Sequence, residues 1–310
     1  MAQARLDSTW ENPKSYKRIR IVKRDDIELT YPIIAAYVEK PELAFPVEEL
    51  VLDVDSWPQE RRNYAMGQRD AEMLEPAKPV REDAHKAIED YVGTLGLGGD
   101  TTQRMLRALD WKKRYLKGEK PETNIPEGFN DHNREYGYVA AVVLTSLCKN
   151  ITALHFGGVG WNGPLREYMM KTNYGLLPQP GLQKLRHVEF YPEDYWMSIY
   201  PDSYSRIELL DWFRYFHRLP QIQSATLEGV MQYQSERSLF PPGTSNVKRL
   251  RIGHSDISSS MLATLIRMHR GLEEFSLSLG GLWGPDGGTP MVYPKTLGKA
   301  LLTQKDTQDS

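Results

Sequence analysis

Three glycines carry the strongest chemical suggestion in the chain. Gly158, Gly160 and Gly163 in GVGWNG have the G-x-G-x-x-G spacing of a strand-to-helix turn that cradles a pyrophosphate, and they follow a predicted strand. A dinucleotide site also needs an acidic side chain about 20 residues further on for the ribose hydroxyls. That stretch reads GLLPQPG. A second Gly-Trp loop, Gly280–Gly288 (GGLWGPDGG), follows another predicted strand, and GLGGD at Gly96 is a weaker echo. Loops repeated at equivalent places read as turns in which glycine permits positive φ. A nucleotide-dependent enzyme on an α/β fold is therefore kept only as an alternative, and no cofactor is expected.

Other reactive residue types are scattered. The seven histidines form no H-E-x-x-H and no close pair, so no metal site is expected. G-x-S-x-G, the nucleophile elbow, is absent. Asp53 and Asp55 leave a predicted strand as a carboxylate pair, a pattern also common on solvated turns. Asn150 opens the sequon NIT beside a predicted core strand. The single cysteine, Cys148, excludes an internal disulfide and a cysteine zinc cluster; it ends an apolar helix and reads as a buried, inert thiol. No catalytic residue is assigned, and the chain reads as a non-enzyme.

The elements that would position these residues show a recurring pattern: an aliphatic residue, two mostly polar ones, an apolar one, any residue, an apolar one. Copies are VEELVL (Val47, Leu50, Leu52), ITALHF (Ile151, Leu154, Phe156), LRHVEF (Leu185, Val188, Phe190), IQSATL (Ile222, Ala225, Leu227), VKRLRI (Val247, Leu250, Ile252) and LEEFSL (Leu272, Phe275, Leu277). YKRIRI at Tyr16 is a weaker copy. The last two apolar residues share a strand's period of two and face inward together. A unit this short cannot bury that face alone, so the pattern predicts stacked repeats. From Val47 the first positions step by 104, 34, 37, 25 and 25 residues. The fold class expected is α/β: an irregular leucine-rich-repeat solenoid of short parallel strands backed by helices.

Predicted helices precede the strands, at Ile33–Val38, Tyr136–Cys148, Ser205–Phe216 and Asp256–His269, the last capped by Asp256 or Ser258. Residues 57–133 break the pattern with EPAKPVRED, GLGGD and KGEKPETNIPEGFNDHN, and hold two further predicted helices near Glu82–Val92 and Thr102–Leu116. The organisation expected is N-terminal repeat units over 1–56, a partly helical and partly mobile insertion over 57–133, and the repeat solenoid over 134–310, as one continuous domain.

The chain has 310 residues, 39 basic and 41 acidic, for a net charge of −2. That balance gives no general pull on nucleic acid or acidic lipid. The opening MAQARLDSTWENPKSYKR has no apolar run, and the longest apolar stretch, Tyr138–Leu144, is too short to span a bilayer. A cytoplasmic or nuclear protein without membrane or nucleic-acid partners is expected.

Binding would fall on strand residues flanking the inward positions: His155, His187, Glu189, Arg249, Arg251 and Glu274, with Lys248 beside the two arginines. The aromatic run FYPEDYWMSIYPDSYSR adds Tyr195 and Trp196 on a loop edge. This mixed stripe suits a protein or peptide partner.

The stretches YVEKPELAFPVEELVLD and NVKRLRIGHSDISSSMLATLIRMHRGLEEFSLSLGGLW, with YPKTLGKALL after them, resemble fungal F-box-like proteins with degenerate leucine-rich repeats. The resemblance covers most of the chain outside Trp57–Asn133. It implies a substrate held on the repeats and, through an F-box, an adaptor of a cullin-type ubiquitin ligase. The residues before Tyr16 lack the three-helix apolar pattern of an F-box. QKDTQDS stands where a seventh strand would follow Lys295–Leu302, so the array is expected to be incomplete at its C-terminus. The reading is a protein–protein interaction scaffold. The alternative is the substrate-recognition part of a ubiquitin ligase.

Overall fold

The computed structural model describes residues 15–22, 24–52, 80–119, 132–157, 163–190, 205–206, 208–234, 240–281 and 292–305. The chain divides into two compact units. The first is Met1–Ile151 with Val159–Tyr168 and Leu177–Gly181, and the second is Thr152–Gly158 with Met169–Leu176 and Leu182–Ser310.

In the first unit β1 (Arg18–Ile21) leads into α1 (Arg24–Glu39), a short 3₁₀ turn at Pro41–Ala44 and β2 (Glu49–Leu52). β1 and β2 are parallel, with Ile19 beside Leu50 and Ile21 beside Leu52, all four buried. Three helices follow: α2 (Glu82–Thr94), α3 (Gly99–Leu116) and α4 (His132–Leu147). α1 packs on α2 and α4, and α3 packs on α2 and α4. Residues Tyr136 to Leu144 of α4 are all buried, as expected of a helix that is apolar all round. Lys112 on α3 is fully buried, and three groups compensate its charge. Glu28 lies 2.7 Å from its Nζ, and the rings of Tyr115 and Tyr136 each stand 5.0 Å away. α2 and α3 fall inside the expected insertion, within three residues of the predicted spans. The rest of 57–133 lies outside the described residues, except 80–81, 95–98, 117–119 and the start of α4.

The second unit holds β3 (Ala153–Phe156), the last half of α5 (Pro164–Asn173), β4 (His187–Phe190), β5 (Ser205–Arg206), α6 (Leu209–Phe213), β6 (Ser224–Glu228), β7 (Val230–Gln232), β8 (Arg249–Ile257), α7 (Ser259–Met268), β9 (Glu274–Leu279) and α8 (Pro294–Lys305). β3, β4, β6, β8 and β9 make a parallel sheet in that order. Register aligns the inward residues in two rows. One runs Leu154, Val188, Ala225, Leu250, Phe275; the other runs Phe156, Phe190, Leu227, Ile252, Leu277. Helical aromatics back these rows. Phe190 sits 4.6 Å, ring to ring, from both Phe156 and Trp212 and 5.2 Å from Phe216. β5, β7 and the distal part of β8 form a smaller parallel ladder.

One backbone arrangement recurs at the strand starts. Arg186 and His187 both donate to the Thr152 carbonyl, Gln223 and Ser224 to Arg186, Lys248 and Arg249 to Gln223, and Glu273 and Glu274 to Lys248. In the first unit Glu48 and Glu49 donate to Lys17 in the same way. The first apolar residue of each copy is buried, from Val47 to Leu272.

The structure departs from the expected helices in three places. Ser205–Phe216 is not one helix: Ser205 and Arg206 pair with Val230 and Met231, so tertiary pairing overrides local periodicity, and α6 keeps only Leu209–Phe213. Asp256 belongs to β8, and the cap of α7 is Ser258, whose Oγ accepts from the Met261 N–H at 3.2 Å. α5 was not anticipated; Pro164, pre-set for the first turn of a helix, was its signal.

Two predictions follow from the packing of the second unit. Phe190→Ala is expected to cost about 3–5 kcal/mol in urea unfolding, because three rings would line the resulting hole. Buried His217 and His269 are each pushed down to about 3, chiefly by burial. Unfolded, each takes its proton near pH 6.5. Between these values the unfolded chain binds more protons, so stability is full above about pH 6.5 and falls as pH drops toward 3. His269→Gln is expected to flatten that slope, and a variant as pH-dependent as the wild type would count against burial as its cause.

Candidate functional site

The inward rows fix what the other sheet face of the second unit displays. Across β3, β4, β6, β8 and β9 one outward row reads Ala153, His187, Ser224, Arg249, Glu274, and the next reads His155, Glu189, Thr226, Arg251, Ser276. All six strand residues singled out in the sequence therefore lie on this face. Tyr195 and Trp196 lie outside the described residues, as does most of the Gly158–Gly163 loop.

The face divides by how its charges are met. On the β3–β4 side, His155 Nδ1 lies 2.8 Å from Glu189 Oε2, so these two groups satisfy each other. His187 Nδ1 lies 2.7 Å from Ser224 Oγ. Partial burial, then Arg249, then Arg186, hold the His187 imidazole below its ordinary value, so it is neutral at pH 7. Arg249 and Arg251 are exposed and make no hydrogen bond or ion pair among the described residues. The same holds for Glu274, although it is in register with Arg249. Lys248 does not join the basic spot; its Nζ is 2.7 Å from Glu273. His187, Ser224, Thr226, Arg249, Arg251 and Glu274 line a shallow depression of about 310 Å³.

A second cluster, at the C-terminal ends of β6 and β8, was not found from the sequence. Glu228 and His254 are hydrogen-bond partners through His254 Nδ1. His254 has φ 41°, at a point where the β8–β9 register shifts between Ile252 and Ser255. A Cβ on Gly253 would stand 2.1 Å from Glu228 Oε2, so the Glu228 carboxylate would have to move aside to admit one. Tyr233 donates to Asp256 beside it. No local pattern announces a bulge that turns His254 toward a neighbouring strand.

Cys148 is buried, and burial pushes its thiol up to about 12, which makes it a poor nucleophile. Among the described residues no group of three or more His, Cys, Asp or Glu side chains could hold a metal ion. No helix among the described residues is long and apolar enough to cross a membrane.

The fold is α/β, a sheet of parallel strands backed by helices. No protein-family model, no curated protein and no solved structure matches the chain.

The electrostatics of the depression are open to direct titration. By NMR, His187 is expected to titrate below the ordinary histidine value. Arg249→Gln, which removes one of the two cations that depress it, is expected to move that midpoint upward. An unchanged midpoint would mean that Arg249 does not face the ring in solution.

Proposed function

We propose that the chain is a non-enzymatic interaction scaffold, built as an irregular leucine-rich-repeat solenoid, and that the outward sheet face of its second unit binds a protein partner. The repeat reading is supported by the recurrence of one local design. The same hexamer places a buried first residue ahead of each strand, and the same paired N–H donation to one carbonyl starts five of the six: β2, β4, β6, β8 and β9. Repeat proteins of this kind present an extended face whose residues are free of packing duty.

One observation carries the binding role. Arg249 and Arg251 stand unpaired among the described residues over a depression in a face where His155 and Glu189 are hydrogen-bonded to one another and Glu274 is the other charge left without a partner. The depression is shallow and polar and draws on four strands, a geometry better suited to side chains of a partner than to a buried small molecule.

The test places a photo-crosslinking residue at Thr226 in the depression and, as a control, at Arg267 on the exposed side of α7. In the cells that make the protein, a distinct adduct is expected from position 226 and not from 267. Adducts that are absent from 226, or the same from both positions, would rule the face out. An F-box adaptor and a cullin recovered with the adduct would extend the scaffold to a ligase substrate receptor.

A further inference from the structure

The chemistry of the partner can be taken one step further, an inference that rests on the binding role just proposed. Arg249 and Arg251 are two apart on β8 and share one face, so they repeat at the pleat spacing of roughly 6.8 Å. Any extended peptide lying along the strand direction repeats its own same-side side chains at that spacing. Two guanidiniums on this spacing, each free to bond a carboxylate bidentately, are complementary to acidic side chains at positions i and i+2 of an extended segment.

The neighbours refine the fit. Ser224 and Thr226 stand in register with the two arginines on one side, and the Thr226 hydroxyl is offered to the same ligand. His187 is held neutral and adds no third positive charge. Glu274, in register with Arg249 on the other side, repels an anion approaching from β9. A nucleic-acid backbone would meet Glu274, unpaired in the same row as Arg249, and Glu189 in the row of Arg251. An isolated dianion would use one point of a site that offers two.

We propose that the Arg249–Arg251 depression docks an extended acidic peptide segment of the partner, with carboxylates at i and i+2.

The test measures fluorescence polarisation of the full chain with labelled Val-Glu-Val-Glu-Val and Val-Gln-Val-Gln-Val peptides, flanked by Gly-Ser, at low salt. The acidic probe is expected to bind about tenfold more tightly than the Gln probe, the scale of two charge-assisted contacts on a part-exposed surface. Added salt is expected to weaken it. R249Q/R251Q is expected to abolish the preference with an unchanged circular dichroism spectrum. E274Q is expected to act in the opposite direction and tighten the acidic probe. Equal binding of the two probes, no binding of either, or a preference that survives R249Q/R251Q would overturn the proposal. A partner segment cross-linked at position 226 that lacks an acidic i, i+2 pair would also overturn it while leaving the face a binding surface. Loss of all cross-linking at 226 would remove the underlying role as well.

Discussion

The interaction on which the second unit depends is the lateral stacking of its two inward rows. A strand such as Ala153–Phe156 has only Leu154 and Phe156 to bury, far too little apolar area for a stable unit. Set in register with Val188 and Phe190, then Ala225 and Leu227, then Leu250 and Ile252, the same two positions become continuous apolar stripes closed by Trp212, Phe213 and Phe216. The paired N–H donation at the starts of β4, β6, β8 and β9 serves this stacking. One carbonyl accepts from two successive residues of the next strand, which pins the register at the point where a one-residue slip would turn each inward side chain outward.

That pinning also gives the outer face its spacing. Once Leu250 and Ile252 are committed inward, Arg249 and Arg251 have no choice of side or interval. Whether an outward charge is available then depends on its lateral neighbour. His155 meets Glu189 and is hydrogen-bonded to it, whereas Arg249 and Arg251 meet the hydroxyls of Ser224 and Thr226, which cannot take up a positive charge. Small polar residues on β6 thus leave both the room and the unbalanced charge on β8.

The contrast between strands and site shows what a sequence can carry. The strands were legible because their signal is local: three apolar residues within six fix a turn and two inward positions, and all six full copies became strands with a buried first position. The helices were legible where an apolar run or a cap stood alone, as in α4 and at Ser258, and illegible where pairing over distance decided the outcome, as at Ser205–Arg206. The face residues were legible by period two. Their pairing states were not, because they depend on which strand lies next. Lys248 read as a partner of the arginines, and the register gave it to Glu273. Glu228 with His254 and the buried Lys112 with Glu28 are joined by a bulge and by helix packing, neither of which leaves a local pattern. Tyr195 and Trp196 lie outside the described residues.

The same logic explains the polar side chains inside the second unit. Each passage from helix to strand leaves carbonyls that the helix can no longer pair, and where strands stack in register these lie against the next helix–strand connection. Side-chain amides meet them after α6 and after α7. Asn173 donates to the Arg214 carbonyl and accepts from the Arg218 N–H, both at 2.7 Å. Asn246 donates to the carbonyls of Arg218 and Leu219. Gln304 on α8 donates to Ile266 and His269 and accepts from Leu272. An amide suits this place because one group donates and accepts without carrying a charge that burial would penalise. Apolar rows hold the strands together, and these amides hold the turns, so the outward face carries little structural duty.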